Sequence, residues 1–392
     1  MAITDLSNDI QTVVTTALNE VPEVGNILAG LVALFWPSTG ENVWQEIEQQ
    51  VAALVDQKLD QYTYSQVEQD LQGINNVVRD YLDTLGTSKT DPQLLTKWIA
   101  VNDEFLYAQP HFGNNLDPDS QQTGNLSATD TVLLLPLVAQ FATLHLAHLR
   151  DGVLYGETWG MSTTDVEQYQ AFLTKQIAIY VAYVDMVWQT GLAAAPSVPG
   201  STDHRTTMVF WALNSYVRSM QLNVLDSADL WPYFDPSLYP GPVGTIKLTR
   251  EIFSDPEGTA DNSSIVLPNQ PMAPITAVTY WGGSLVNAFQ VSYGGVAGPV
   301  MGAPGTSTKG GFTVTPENPI VTVQGNAGDV PNWVLFGFQD GTTSGFVGKP
   351  GSTSFNWSFP GHVLSSITVT GVSTFYDTAE CVIFGFRRAD SY

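Results

Sequence analysis

At 392 residues the chain is long enough for two domains of ordinary size, each burying its own core without a disulfide or metal staple. Its formal charge of -24, from 14 basic and 38 acidic residues, excludes nucleic acid as a partner, because such a surface repels phosphate backbones. The single cysteine, Cys381, excludes an internal disulfide and a cysteine-ligated zinc site.

Residues 1–245 read as helices. The N-terminal segment has Thr4 or Asp5 as a cap and Leu6, Ile10, Val13, Val14 and Ala17 on one stripe, with no basic region and continuous apolar core of a secretory signal. "GNILAGLVALFWP" follows and is stopped by Pro37, and a long segment runs from Val43 through Leu85 to a stop at Gly86. Thr90 or Asp91 caps the fourth helix, with Pro92 in its first turn. On a 100° wheel Leu94, Leu95, Trp98, Ile99, Val101, Phe105 and Leu106 share one broad face of that helix, while Thr96, Lys97, Asp103, Glu104 and Tyr107 occupy the other. Thr129 and Asp130 open the run "TVLLLPLVAQFATLHLAHL", and two further periodic segments bring the total to about seven helices.

That run carries no formal charge from Thr131 to Leu149 while its histidines are neutral, and at about 1.5 Å per residue it spans roughly 28 Å, near the thickness of a bilayer core. A helix apolar all round must hide from water, so the expected place for it in solution is the centre of a bundle. From residue 246 the pattern changes to short alternating segments between glycines, such as "AFQVSYGG", "PIVTVQG" and "ECVIFGF", and residues 246–392 read as an all-β domain.

Signatures of catalysis are weak. His145 and His148 sit at i and i+3 without a carboxylate to complete a metal site, and read as structural. "GAPGTSTKGG" lacks the Gly-Lys-Ser/Thr order of a phosphate loop, no G-x-S-x-G elbow occurs, and Cys381 lies in an apolar strand pattern. Neither an enzyme nor a cofactor or metal is expected.

"LPLVAQFATLHLAHLRDGVLYGETWGMS" resembles the end of the fifth helix and the start of the sixth in the three-domain Cry insecticidal delta-endotoxins. The likeness continues through "YVAYVDMVWQTGL", "SYVRSMQLNVLDSADLWPYFDPSLYP" and "KLTREIFSDP"; upstream, "VPEVGNILAGLVALFWP" and "VWQEIEQQVAALVDQKL" look like the family's second and third helices. It covers about residues 20–256. The resemblance implies a seven-helix pore-forming bundle whose fourth and fifth helices enter the target-cell membrane as a hairpin, with Leu133, Leu134, Leu135, Phe141, Leu144 and Leu146 in the inserting helix. It implies a polar hinge at Arg150, Asp151, Gly152 and Gly156 beside a buried Trp159, and a homo-oligomer whose lumen Thr96, Asp103, Glu104 and Tyr107 would line.

The second half, from "GTSTKGGFTVTPENPIVTVQGNAGD" through "SSITVTG", is similar to jacalin-related lectins, which implies a β-prism of three sheets binding a surface receptor or glycan. In that family a Gly-x-x-x-Asp turn near the C-terminus helps form the sugar pocket. Here either Asp377 is the acid, with Ser373 in the glycine's place, or Glu380 is, with Tyr376 there. Trp357 and Phe359, in "STSFNWSFPG", are candidate receptor contacts. No segment is left for the third Cry domain, a β-sandwich, so the expectation is either a two-domain toxin or one whose sandwich a second protein supplies. It would be stored in the producing cell or released, and act on the target membrane. The alternative expectation is a non-lytic, lectin-like binding protein that keeps the bundle as a scaffold.

Overall fold

The computed structural model describes residues 3–20, 23–39, 43–47, 49, 59, 61–116, 124–194, 205–259, 265, 267, 270–373, 376 and 378–392. The chain divides into two compact units, Met1–Ala194 with Ser219–Ile246, and Ala195–Arg218 with Lys247–Tyr392. The sequence pattern suggests a single cut after residue 245. Residues 195–218 fall instead with the strands, because helical residues Trp211, Asn214 and Arg218 bond to Phe253, Ser254 and Asp255.

In the first unit the helices are α1 (Ile3–Asn19), α2 (Asn26–Phe35), α3 (Gln61–Thr87), α4 (Leu94–Phe112), α5 (Ala128–Tyr155) and α6 (Thr163–Ala194), with a helical stretch at 43–47 between α2 and α3. The segment expected to run unbroken from Val43 is not continuous, since Leu59 is not helical, and α3 passes through Gly86 to end at Thr87. α5 begins earlier than its sequence signals suggest. Ser127 is the cap, its Oγ accepting the Asp130 amide at 3.1 Å, and Asp130 lies in the first turn, where its charge suits the helix dipole.

α5 is the axis of this unit: every residue from Thr131 to Gly152 is buried. α2, α4 and α6 pack around it, as does the returning segment formed by a π turn (Gln221–Leu225), a short helix (Asp226–Leu230) and a 3-10 turn (Trp231–Phe234). Burial around the whole circumference accounts for a sequence with no polar stripe.

Among the described residues the second unit carries part of α7 (Arg205–Met220) and twelve strands in three four-stranded antiparallel sheets: β1 (Glu251–Phe253), β2 (Glu257–Gly258), β3 (Ile275–Gly282), β4 (Val286–Tyr293), β5 (Val296–Gly302), β6 (Thr308–Thr313), β7 (Ile320–Ala327), β8 (Pro331–Phe338), β9 (Thr343–Gly348), β10 (Phe355–Trp357), β11 (His362–Ser373) and β12 (Thr378–Arg388). Their orders are β5-β4-β3-β6, β10-β7-β8-β9 and β1-β12-β11, with β2 also paired to β12. Phe289 of β4 (Val286–Tyr293), Phe336 of β8 (Pro331–Phe338) and Phe384 of β12 come from one sheet each. They meet at centroid distances of 6.0 and 6.3 Å, the common core of a β-prism.

Candidate functional site: a buried helix and its polar ties

An apolar helix at the centre of a bundle still carries polar groups, and each must be partnered where it is buried. Gln140 donates Nε2–H to the Asn223 carbonyl at 2.8 Å, and Thr143 Oγ1 accepts the Trp231 indole N–H at 3.0 Å. His145 Nδ1 pairs with the Tyr180 hydroxyl at 2.7 Å, and that hydroxyl accepts from Gln109 Nε2 at 2.9 Å. One residue pair binds α4 to α5 twice: Trp98 donates Nε1–H to the His148 carbonyl, and His148 Nε2 meets the Trp98 carbonyl, both at 3.0 Å.

The imidazoles are also sandwiched. Trp98 stacks on His148 at 4.8 Å and 17°, and Phe105 stacks on His145 at 4.8 Å and 15°. Burial drives the His145 pKa down to about 3 and holds His148 well below its ordinary value, so both are neutral, packed rings. Among the described residues no cluster of three or more metal-ligating side chains occurs.

Of the residues read as a hinge, Gly156 lies at the turn beside Trp159, whereas the other three do not. Arg150, Asp151 and Gly152 are inside α5, which runs on to Tyr155; the chain turns at the 3-10 segment Gly156–Trp159 and at Gly160, whose φ is 101°. Trp159 is buried. A Cβ on Gly152 would collide with the Trp98 ring, so this glycine is there for close packing rather than for bending. Arg150 Nη1 donates to the Phe234 carbonyl at 3.1 Å. Asp151 accepts the Gly25 amide at 3.1 Å and the Tyr81 hydroxyl at 3.3 Å, tying the start of α2 and the C-terminal part of α3 to the axis. Gly25 itself has φ 79°, which only glycine adopts cheaply.

Burial raises the Asp151 pKa to about 7, against the lowering pull of the Gly25 amide, the Tyr81 hydroxyl and Arg150. A carboxyl whose folded pKa lies above its unfolded value stabilises the fold fully below the unfolded pKa and loses that contribution as pH rises through the folded one. The helical unit should therefore weaken between about pH 4 and about pH 7, by up to a few kcal/mol, since each tenfold change in proton affinity is worth about 1.4 kcal/mol. Urea titrations across that window should show the slope, and Asp151→Asn should flatten it; an unchanged slope would assign the effect to another group.

The outward side of α4 is only partly as the wheel draws it. Thr96 and Asp103 are exposed, and Tyr107 is 58% exposed. Glu104 is half-buried: it packs over Gly73 of α3, and burial together with nearby Asp70 raises its pKa. It leaves the outer face because α3 offers a glycine there. Lys97 is neutralised by Asp80 at 2.6 Å. The buried face is narrower than expected, with Ile99 40% exposed and Asn102 and Gln109 buried among the apolar residues.

In the prism, Phe359 is buried and Trp357 half-buried. They stack on each other at 6.1 Å, Trp357 donates Nε1–H to Glu257 Oε1 at 2.7 Å, and the Arg218 guanidinium lies 5.1 Å from the Trp357 ring. Phe359 therefore packs the unit rather than offering a receptor contact, whereas Trp357 keeps part of its ring at the surface. Glu380 is buried in β12, where it cannot act as the acid of an open sugar pocket. Asp377 lies outside the described residues.

Residues 13–235 match the family model of the delta endotoxin N-terminal domain, more than half of the chain and the part that holds α5 and its ties. The chain belongs to the delta-endotoxin family. Similar proteins include pesticidal crystal protein Cry19Ba of Bacillus thuringiensis subsp. higo, 34% identical over 62% of this chain and 34% of its own length. Another is Cry8Ca of Bacillus thuringiensis subsp. japonensis, 32% identical over 62% of this chain and 20% of its own. The chain thus spans about a third or less of the length of these relatives. As a fold it superposes on the insecticidal protein Cry7Ca1 of Bacillus thuringiensis with TM-score 0.80 at 17% identity, covering 99% of this chain and 75% of that one. It superposes on PirB with TM-score 0.76 at 14% identity, covering 98% and 94%.

Delta-endotoxin membership explains why the wheel and the hydropathy pattern find α4 and α5 but not their ties. Trp98, Tyr180 and Trp231 look like ordinary aromatic positions in the sequence, and their hydrogen-bonding role appears only when partners 35 to 88 residues away along the chain are folded back onto them. Tyr81 and Gly25 carry no recognisable signal at all.

Proposed function

We propose that this delta-endotoxin family member is an insecticidal pore-forming toxin, with a β-prism that binds a receptor or glycan on the target cell and a helical unit that inserts α4 and α5 into its membrane. The observation that supports this most is the uncharged, fully buried stretch of α5, long enough to cross a bilayer yet hidden on every side. α6 also passes a length and composition test for a span. We favour α4 as the companion of α5, because Trp98 and His148 join the two through reciprocal side-chain-to-backbone bonds and parallel ring stacking, whereas α5 meets α6 through the His145–Tyr180 side-chain bond and edge-on contacts of Tyr180 and Phe172 with Phe141 and His145. The names of the relatives, pesticidal crystal proteins, support the insecticidal target and storage in the producing cell. The partners in this reading are the target membrane, a surface receptor or glycan, further copies of the chain and a second protein carrying the β-sandwich. Neither an enzymatic step nor a cofactor belongs to it.

Dye release from liposomes, before and after protease treatment, tests the proposal. Release supports it, and binding to gut-membrane extract without release would favour the lectin-like reading. In planar bilayers the channel should prefer cations, because Asp103 faces outward on α4 and copies of it around a lumen form an acidic ring. Asp103→Asn should reduce the reversal potential under a KCl gradient while conductance persists. Glu104→Gln should change it less, if the contact with Gly73 persists.

A further inference from the structure

Residues 253–258 form a strap in the second unit, with α7 on one side and β12 on the other. β2, at its end, is two residues long and pairs with β12 at Glu257 with Val382 and at Gly258 with Cys381, a ladder short enough to open without the rest of the sheet. Ahead of β2 the strap anchors α7. Asn214 Nδ2 donates to the Phe253 and Ser254 carbonyls at 3.1 and 2.9 Å, and Trp211 Nε1 and Arg218 Nη2 donate to the Asp255 carboxylate at 2.8 and 3.0 Å. Phe210 of α7 and Phe253 of the strap both pack against the buried Cys381 of β12. The strap and the helix it holds thus cover one stretch of strand.

Glu257 is the weak point of this arrangement. It is half-buried, and the Trp357 indole donates Nε1–H to its Oε1 at 2.7 Å. The groups around it are Asp255 ahead of β2, Trp357 of β10 and Cys381 of β12, with Glu380 beside Cys381. Arg218 of α7 lies 5.1 Å from the Trp357 ring, but its charge is already paired with Asp255 at 3.0 Å. An ionised Glu257 therefore keeps its indole donor while it meets the Asp255 charge in a partly desolvated place. Burial, joined by the Asp255 charge, raises its pKa from the ordinary 4.5 to about 7, against the lowering pull of the Trp357 N–H.

We propose that β2 is a proton-operated strap: protonated Glu257 keeps it closed on β12, and loss of that proton to water opens it, freeing the segment that holds α7 over Cys381. A carboxyl whose value is raised by closure stabilises the closed strap fully below about pH 4.5 and loses that contribution as pH rises through about 7. The inference rests on the second unit alone and stands whether or not the chain forms pores.

The test follows the full chain by hydrogen exchange and by alkylation of Cys381, which is buried while the strap is closed. Dividing the wild-type rate by that of Glu257→Gln at each pH cancels the pH dependence of exchange chemistry and of the thiol itself. From about pH 5 to about pH 8 the ratio should rise about tenfold or more for the amides of 253–258 and for the thiol, since one linked proton permits up to about tenfold per pH unit. It should stay flat for the amides of β4, which marks the opening as local. Trp357→Phe keeps a ring and removes the N–H that pulls the carboxyl down, so the midpoint of opening should move to higher pH. A flat ratio at the strap, or an equal rise in β4, overturns the proposal. So does an unmoved midpoint in Trp357→Phe, a measurement that decides the matter even where Glu257→Gln fails to fold.

Discussion

Dye release should stop when a disulfide joins α5 to α6 and return in full when it is reduced. The physical reason is that α5 cannot present its uncharged surface to lipid while a covalent bond holds it among its neighbours. The design is clean because Cys381 is buried and its thiol is pushed up to about 12, so it neither oxidises nor exchanges readily with the new pair. Equal leakage rates for oxidised and reduced protein would remove α5 from the inserting element. A control bridge between neighbouring strands of the prism should leave leakage unchanged in both states.

Trp98→Ala should cost the helical unit about 4 kcal/mol or more, placing it among the most damaging single substitutions available. Removing a fully buried tryptophan costs about 3–5 kcal/mol through lost transfer energy and the cavity left behind. Here it also strips the His148 carbonyl of its indole donor and removes the ring that packs between His148 and Tyr169. Trp98→Phe retains part of the ring packing and loses the N–H, so it should cost about half as much. Chemical denaturation followed by far-ultraviolet circular dichroism checks both, and a cost below about 1 kcal/mol for the alanine variant would show that the site collapses around the loss. The same variant should insert into liposomes at lower urea concentration, since the bundle that covers α5 is then less stable.

The helical and β halves are legible in the sequence because each imposes a period. Leucines without a polar stripe mark a helix with no solvent face, and alternating segments between glycines mark strands and turns. Long-range pairing imposes no period, and that is where sequence pattern and fold part company. Asp151 reads as a hinge because Arg-Asp-Gly resembles a break, yet its carboxylate faces an amide 126 residues away, and that partner keeps the helix going. Glu104 reads as a lumen residue because the wheel knows only its own helix, and the glycine that draws it inward is on α3. Trp357 and Phe359 look like an exposed loop until Arg218, from a helix far upstream in the chain, is laid over them. Residues 195–218 group with the strands for the same reason, since nothing local ties a helix to a strand that follows it.

The hydrogen bonds that close α5 also set an order of synthesis. Gln140, Thr143 and Arg150 wait for Asn223, Trp231 and Phe234, which lie 83, 88 and 84 residues further along the chain. At about 5–20 residues per second, a nascent chain that has already released α5 from the ribosome keeps one side of it uncovered for roughly 4 to 17 seconds. During that interval the molecule displays its most lipid-seeking surface inside the cell that makes it. A chain cut after residue 194 would never cover that side, and it should be found in inclusion bodies, with chaperones, or on the producer's own membrane.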